Sequence, residues 1–157
     1  MESARPATHA DLPRIAVLAE QAVAELTSNK GGAVWARREA RSAPYIDSLR
    51  AHLEAADHCV AVGEVVGAVV GYAVVRAESL RDGGVLGVLD DIYVEPEARE
   101  VGVGEALMDA VEAWCRGRGC IGIDSLALPG NRETKNFFET FGLVARAIVV
   151  HRSLDGE

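Results

Sequence analysis

The chain has 157 residues, the length of one domain, with 49% hydrophobic and 25% charged side chains, the balance of a globular protein that needs no metal or disulfide to hold its core. Its 24 acidic and 16 basic residues leave a formal net charge of −8, which repels phosphodiester backbones and argues against nucleic acid as a partner. Cys59, Cys115 and Cys120 are an odd set with no C-x-x-C or H-x-x-x-H spacing, which argues against disulfides and a zinc site, so no metal is expected. The first residues lack the basic-then-apolar order of a secretion signal, and no apolar run approaches the ~20 residues of a membrane span. The expectation is a cytoplasmic chain with no membrane partner.

In chain order, Asp11 is placed to cap a helix over 11–27 whose apolar positions are Leu12, Ile15, Val17, Leu18, Val23 and Leu26. A loop follows at 28–32. A second helical stretch over 33–55 is broken at Pro44, after which Tyr45, Leu49 and Leu53 share a face. From 59 the period changes to that of strands: 59–62, then a turn at 65–67, then 68–78, a turn at 81–84, and 85–94, ended by Glu95-Pro96. These form an antiparallel meander. A helix over 102–116 carries Val103, Leu107, Val111 and Trp114 on one face and Glu105, Asp109 and Glu112 opposite. A strand over 120–128 completes a strand, helix, strand unit that fits a right-handed crossover between parallel strands. A short helix over 132–140 and a last strand over 144–154 close the chain. The class is α+β with one mixed sheet.

The segment Arg99-Glu100-Val101-Gly102-Val103-Gly104-Glu105 lies between a strand and an amphipathic helix. Two glycines at a helix mouth let backbone N–H groups approach a ligand, and the helix N-terminus adds partial positive charge, so the segment suits a diphosphate. A dinucleotide fingerprint needs a third glycine where Leu107 stands, and a P-loop needs Gly-Lys-Ser/Thr, which is absent. The pattern present is R-x-x-G-x-G.

That pattern, with Leu89-Asp90-Asp91-Ile92-Tyr93-Val94-Glu95-Pro96 before it and the run from Asn131 to Leu143 after it, resembles the GNAT acyl-CoA N-acyltransferases. Arg5-Pro6-Ala7 followed by Asp11-Leu12 also resembles the family's opening. The likeness is strong over 86–143 and loose over 28–58. It implies a single domain with a mixed, mostly antiparallel sheet, about four flanking helices, and a central parallel strand pair that splays to admit acetyl-CoA. It implies that Ile92, Tyr93 and Val94 meet pantetheine, and that the N–H groups of Val101, Gly102, Val103, Gly104 and Glu105 meet the diphosphate, with Arg99 and Glu100 beside them. Asn131, Lys135 and Phe138 match cofactor-side positions of the final helix.

Asp90 stands where several relatives carry a base-acting glutamate, with Asp91 as its neighbour. Strand alternation sends adjacent side chains to opposite faces unless a bulge intervenes, and Asp90 is favoured as the base. The family's usual acid tyrosine is Phe138 here, so Tyr93, Tyr72 or water takes that role. Trp35 and Tyr45 lie where the family's variable helices line the acceptor pocket, and Tyr72 is grouped with them. The implied reaction is acetyl transfer to a primary amine, on a small molecule or a protein, with a small cationic acceptor favoured by the acidic charge. A non-catalytic acyl-CoA-binding module is the alternative. The resemblance also implies a homodimer.

Overall fold

In the computed structural model, which describes residues 1–155, Val66 and Gly67 both take positive φ, 49° and 81°. That is the two-residue turn whose twist suits a tight hairpin. It joins β2 (His58–Val65) to β3 (Ala68–Ser79), and β4 (Val85–Val94) returns antiparallel to β3. β1 (Glu2–Pro6) pairs antiparallel with β2. This strand had no sequence signal, because Glu2-Ser3-Ala4-Arg5-Pro6 has no apolar alternation. β5 (Ile123–Ser125) lies parallel to β4. The sheet order is β1-β2-β3-β4-β5.

Two layers cover the sheet. On one face lie α1 (Leu12–Thr27) and α3 (Tyr45–Glu54), with α2 (Gly32–Arg38) packed on α1. Ile15, Leu18 and Leu49 are fully buried there against Val60, Val62, Tyr72 and Val74. On the other face, α4 (Val103–Gly117) sets Leu107, Met108 and Val111 against Ala61, Ala73, Val75 and Leu89, joined by Phe138 of α5 (Arg132–Thr140). Fully burying one such aliphatic side chain contributes about 1.5–3 kcal/mol. The helix lies directly on the strand backbone. A Cβ at Gly87 would stand 2.6 Å from Cys115 Sγ, so only glycine permits that approach. Burial pushes the Cys115 thiol up to about 12, which makes it an unreactive packing group at neutral pH.

Three expectations change. Asp11 does not cap α1 by its side chain; it accepts from Thr8 N at 2.8 Å, across a single 3-10 turn, and from Arg5. The strand expected over 120–128 shortens to three residues, because after Leu89 and Ser125 the parallel ladder stops. The strand expected over 144–154 is absent: residues 143–152 carry no ladder and nearly all are exposed. The parallel pair β4–β5 therefore lies at one side of the sheet, with β5 as its edge. The sequence pattern showed the apolar run correctly, but a strand also needs a partner edge.

Arg5 donates to both Asp11 oxygens, at 2.8 and 3.0 Å. These bonds lower the Asp11 carboxyl from its ordinary 3.8 to about 2. A lowered folded value means the pair stabilises the fold above the ordinary value, and that contribution is lost as pH falls from about 4 through 2. Chemical denaturation across that range is expected to show this loss, and Asp11→Asn is expected to flatten it.

Candidate active site

The ladder between β3 and β4 shifts once. Val74 pairs with Asp91 and Val75 with Leu89, so Asp90 is an extra residue, a β-bulge. Before it, Leu89 faces α4; after it, Ile92 and Val94 do, while Asp91 and Tyr93 turn to α1 and α3. The bulge also turns Asp90 to the α3 side, where its carboxylate accepts from Arg76 Nε at 2.9 Å. Both aspartates thus border one pocket of about 250 Å³, together with Glu39, Arg41, Ser48 and His52.

Arg41, in the loop between α2 and α3, organises that pocket, and its side chain is only 3% exposed. It donates to Asp91 through Nε at 3.0 Å and Nη2 at 2.6 Å, and through Nη1 to Ser48 Oγ at 2.6 Å and to His52 Nδ1 at 3.0 Å. Tyr72 Oη donates to Asp91 Oδ2 at 2.8 Å. Every strong contact of Asp91 is therefore already made within the protein. Burial, and next the Arg41 charge, hold His52 below the usual histidine range, so it is neutral at pH 7, as an acceptor from Arg41 must be. Asp90 is the less enclosed carboxylate, with 34% of its side chain exposed against 14% for Asp91.

Along the same strand a second cleft opens, of about 670 Å³. Glu95 N donates to Val70 O on β3. By strand alternation the N–H and C=O groups of Ile92 and Val94 point the other way, to the side where β5 has ended. Ile92, Tyr93 and Val94 form one wall; Glu25 of α1, Asn29 of the turn after it, Asn131 at the N-cap of α5 and Phe137 of α5 border the rest. At the mouth of α4, Glu100 and Gly102 take φ of 74° and 90°. For Glu100 this is a strained conformation, of the kind that clusters at ligand sites. Among the described residues, the backbone N–H groups of Glu100 to Glu105 donate to no protein acceptor. Gly104, Glu100, Glu105 and Arg99 also border this cleft.

The remaining residues fall as follows. Arg99 lies at the cleft but is engaged, donating from Nε to Val94 O at 2.8 Å and from Nη2 to Glu25 at 3.0 Å. Asn131 accepts from Thr134 N at 3.1 Å, capping α5, which leaves its amide N–H groups for the cleft. Val101 is exposed, and the Val103 side chain is buried in the core, so each offers only its N–H. Lys135 pairs with Glu139 at 3.2 Å and does not border the cleft. Phe138 is 6% exposed and packs in the α4 core; the ring that borders the cleft is Phe137. Tyr72 is 1% exposed, so it supports Asp91 from below and does not meet an acceptor directly. Trp35 and Tyr45 are half-buried and border neither cavity; Tyr45 packs against the α1–α3 core. Tyr93 is 9% exposed, its hydroxyl 3.5 Å from Gln21 Oε1, and burial first, then the Glu25 charge, push its hydroxyl up.

Sequence reasoning missed Arg41, Glu25 and Phe137. Arg41 and Glu25 sit outside any motif, 50 and 74 positions from the residues they grip. Phe137 could have been found, since position 137 falls on the α4 side of the helix like Phe141.

No helix among the described residues is long and apolar enough to cross a membrane. In sequence, a stretch of 32 residues is 59% identical to the aminoglycoside N(6')-acetyltransferase type 1 of Klebsiella aerogenes, covering 20% of this chain and 21% of that protein. The match thus spans about a fifth of the curated relative. In structure, the chain is similar to AAC(6')-Iy in complex with the bisubstrate analog CoA-S-monomethyl-acetylneamine, with TM-score 0.76 and 19% identity, over 98% of this chain and 97% of the other. It is also similar to a tetramutant of the BH1408 protein from Bacillus halodurans, with TM-score 0.81 and 18% identity, over 96% and 99%. These likenesses carry the fold. The profile of the acetyltransferase (GNAT) family matches residues 21–143, and with the strand gap and helix-mouth loop described above it establishes that the chain belongs to that family.

Proposed function

We propose that this chain transfers the acetyl group of acetyl-CoA to a primary amine on a small cationic molecule. The observation that carries the reading is the run of undonated N–H groups from Glu100 to Glu105, beside a cleft walled by Ile92, Tyr93 and Val94 of β4, with a separate pocket edged by Asp90 and Asp91 earlier on the same strand. The donor set fits coenzyme A: a helix mouth for the diphosphate, and the outward backbone of Ile92 and Val94 for the amides of pantetheine. Bound acetyl-CoA supplies the thioester whose carbonyl carbon the amine attacks.

The chain's own groups do the rest. Asp90 takes a proton from the acceptor's ammonium, directly or through water, which makes the nitrogen nucleophilic. Its pairing with Arg76 holds the carboxylate toward the pocket. The N–H of Val94, turned into the gap, stabilises negative charge on the carbonyl oxygen. Tyr93, whose raised hydroxyl stays protonated, donates to the leaving thiolate. Asp91 is a positioning residue, fixed by Arg41 and Tyr72. Glu39 and Asp90 at the pocket rim favour a cation. A small amino sugar is compatible with the aminoglycoside named for the Klebsiella aerogenes relative.

Thiol release from acetyl-CoA across a panel of polyamines, amino sugars, amino acids and peptides tests the reading. Asp90→Asn is expected to reduce turnover roughly a hundredfold with coenzyme A affinity kept. A rate within about twofold of wild type retires Asp90 as the base. Cofactor binding without turnover on any amine favours instead a non-catalytic acyl-CoA-binding module, the reading to which the hydroxyl-free Phe138 lends support.

A further inference from the structure

Arg41 does more than hold Asp91. Its Nη1 donates to two groups of α3 at once, to Ser48 Oγ at 2.6 Å and to His52 Nδ1 at 3.0 Å. A guanidinium keeps its protons in a protein, so both partners are acceptors at those atoms. The consequence falls on their other sides. A neutral imidazole that accepts at Nδ1 carries its proton at Nε2. A hydroxyl that accepts at its oxygen still has its own O–H to donate. Arg41 thus turns two neighbours, one helical turn apart on α3, into outward donors.

The His52 ring is held in that pose. It lies nearly flat against His58, with centroids 4.2 Å apart and planes 19° apart, while Arg41 grips its Nδ1 edge. Among the described residues, Nε2 has no protein partner, and no buried side-chain nitrogen or oxygen is left unpaired. Nε2 is therefore open to solvent, and both His52 and Ser48 border the pocket that holds Asp90. The carboxylates of Glu39 and Asp90 at the same pocket only accept. Ala40 is the one apolar side chain at its border, so a hydrocarbon chain gains little there. An ammonium satisfies the carboxylates. It has no lone pair to offer the two α3 donors, which need an oxygen.

We propose that Ser48 and His52 determine specificity, their O–H and Nε2–H binding an oxygen carried close to the reacting nitrogen, so that the acceptor is an amino alcohol or amino sugar rather than a plain aliphatic amine. The inference rests on the acetyl-transfer reading above and narrows its acceptor. A plain amine strips water from both donors and pairs neither, which is how a polar pocket rejects an analogue that lacks a hydroxyl. His52 is not a base in this arrangement, because its one open nitrogen already holds a proton.

Two amines that differ by one hydroxyl beside the nitrogen, a vicinal aminocyclohexanol and cyclohexylamine, test the proposal by thiol release from acetyl-CoA. Wild type is expected to favour the amino alcohol by about tenfold or more in kcat/KM. His52→Asn sets an amide oxygen where Nδ1 stood, so Arg41 keeps an acceptor, but it leaves nothing at Nε2. Ser48→Ala removes the other donor. Each is expected to raise KM for the amino alcohol by about fivefold to tenfold, the loss of one hydrogen bond, and so to shrink the preference. A role confined to packing, or to holding Arg41, slows both amines alike; an unchanged ratio in both variants therefore overturns the proposal. Equal turnover of the two amines by wild type also overturns it and leaves the acetyl-transfer reading in place. No thiol release with any amine removes that reading and this inference together.

Discussion

Gly104→Val is expected to weaken coenzyme A binding at least a hundredfold while the protein stays folded. Any Cβ at this position would stand 2.9 Å from Phe137 Cε1 and 3.2 Å from Cζ, closer than side-chain atoms pack. The ring cannot simply swing aside, because it packs at a tilt against Phe141 and Phe138, with centroids 5.1 and 5.9 Å away. The valine therefore either drives α5 off α4 or fills the cleft where the N–H groups of the helix mouth open. Losing two charge-assisted contacts from a diphosphate, each worth about 1.5–3 kcal/mol, corresponds to roughly a hundredfold or more in Kd. Calorimetric titration with coenzyme A measures the loss. Gly117→Ala at the far end of α4, where an added Cβ meets nothing within 4 Å, is the matched control and is expected to leave affinity unchanged. Equal affinity in the two variants would remove the helix mouth from the binding site.

Arg41→Met is expected to destabilise the fold by about 3 kcal/mol, the lower range for breaking a buried ion pair by removing one partner. For a domain of this size that is a fall in Tm of roughly 6–12 °C. The cost comes from what is left behind. Asp91, 14% exposed, keeps its charge but loses two short bonds and retains only the Tyr72 hydroxyl. The double variant Arg41→Met with Asp91→Leu removes the stranded charge, and most of the loss is expected to return. Thermal or urea unfolding of the two variants reads the difference. A single variant as stable as wild type would mean that Arg41 is not the counter-charge that fixes Asp91.

The elements that depend on local sequence were legible. The repeat of Val103, Leu107 and Val111 gave α4, and the turn residues gave the β2–β3 hairpin; both depend on neighbours within a few positions. The glycine pair was legible as the turn into α4 for the same reason, since its conformational freedom belongs to the residues themselves. The facing of Asp90 and Asp91 was not legible, because it is decided by a register shift opposite Val74 and Val75 on another strand. Arg41 was hidden for a related reason: a loop arginine reads as a solvated charge until its carboxylate, 50 positions away, is seen beside it. The tail shows the same limit from the other side. Its composition announces a strand, and composition carries no information about whether an edge is there to receive it.

The bulge at Asp90 has one more consequence. It gives a single strand two reading frames. In the first half, odd-numbered positions answer to the packing of α4, as Leu89 does; in the second half, even-numbered positions do, as Ile92 and Val94 show. Asp90, Asp91 and Tyr93 can therefore all turn to the α3 side without disturbing the apolar positions that hold the strand against α4. A one-residue deletion there would merge the frames and exchange the α4-facing and α3-facing sets at one end of the strand.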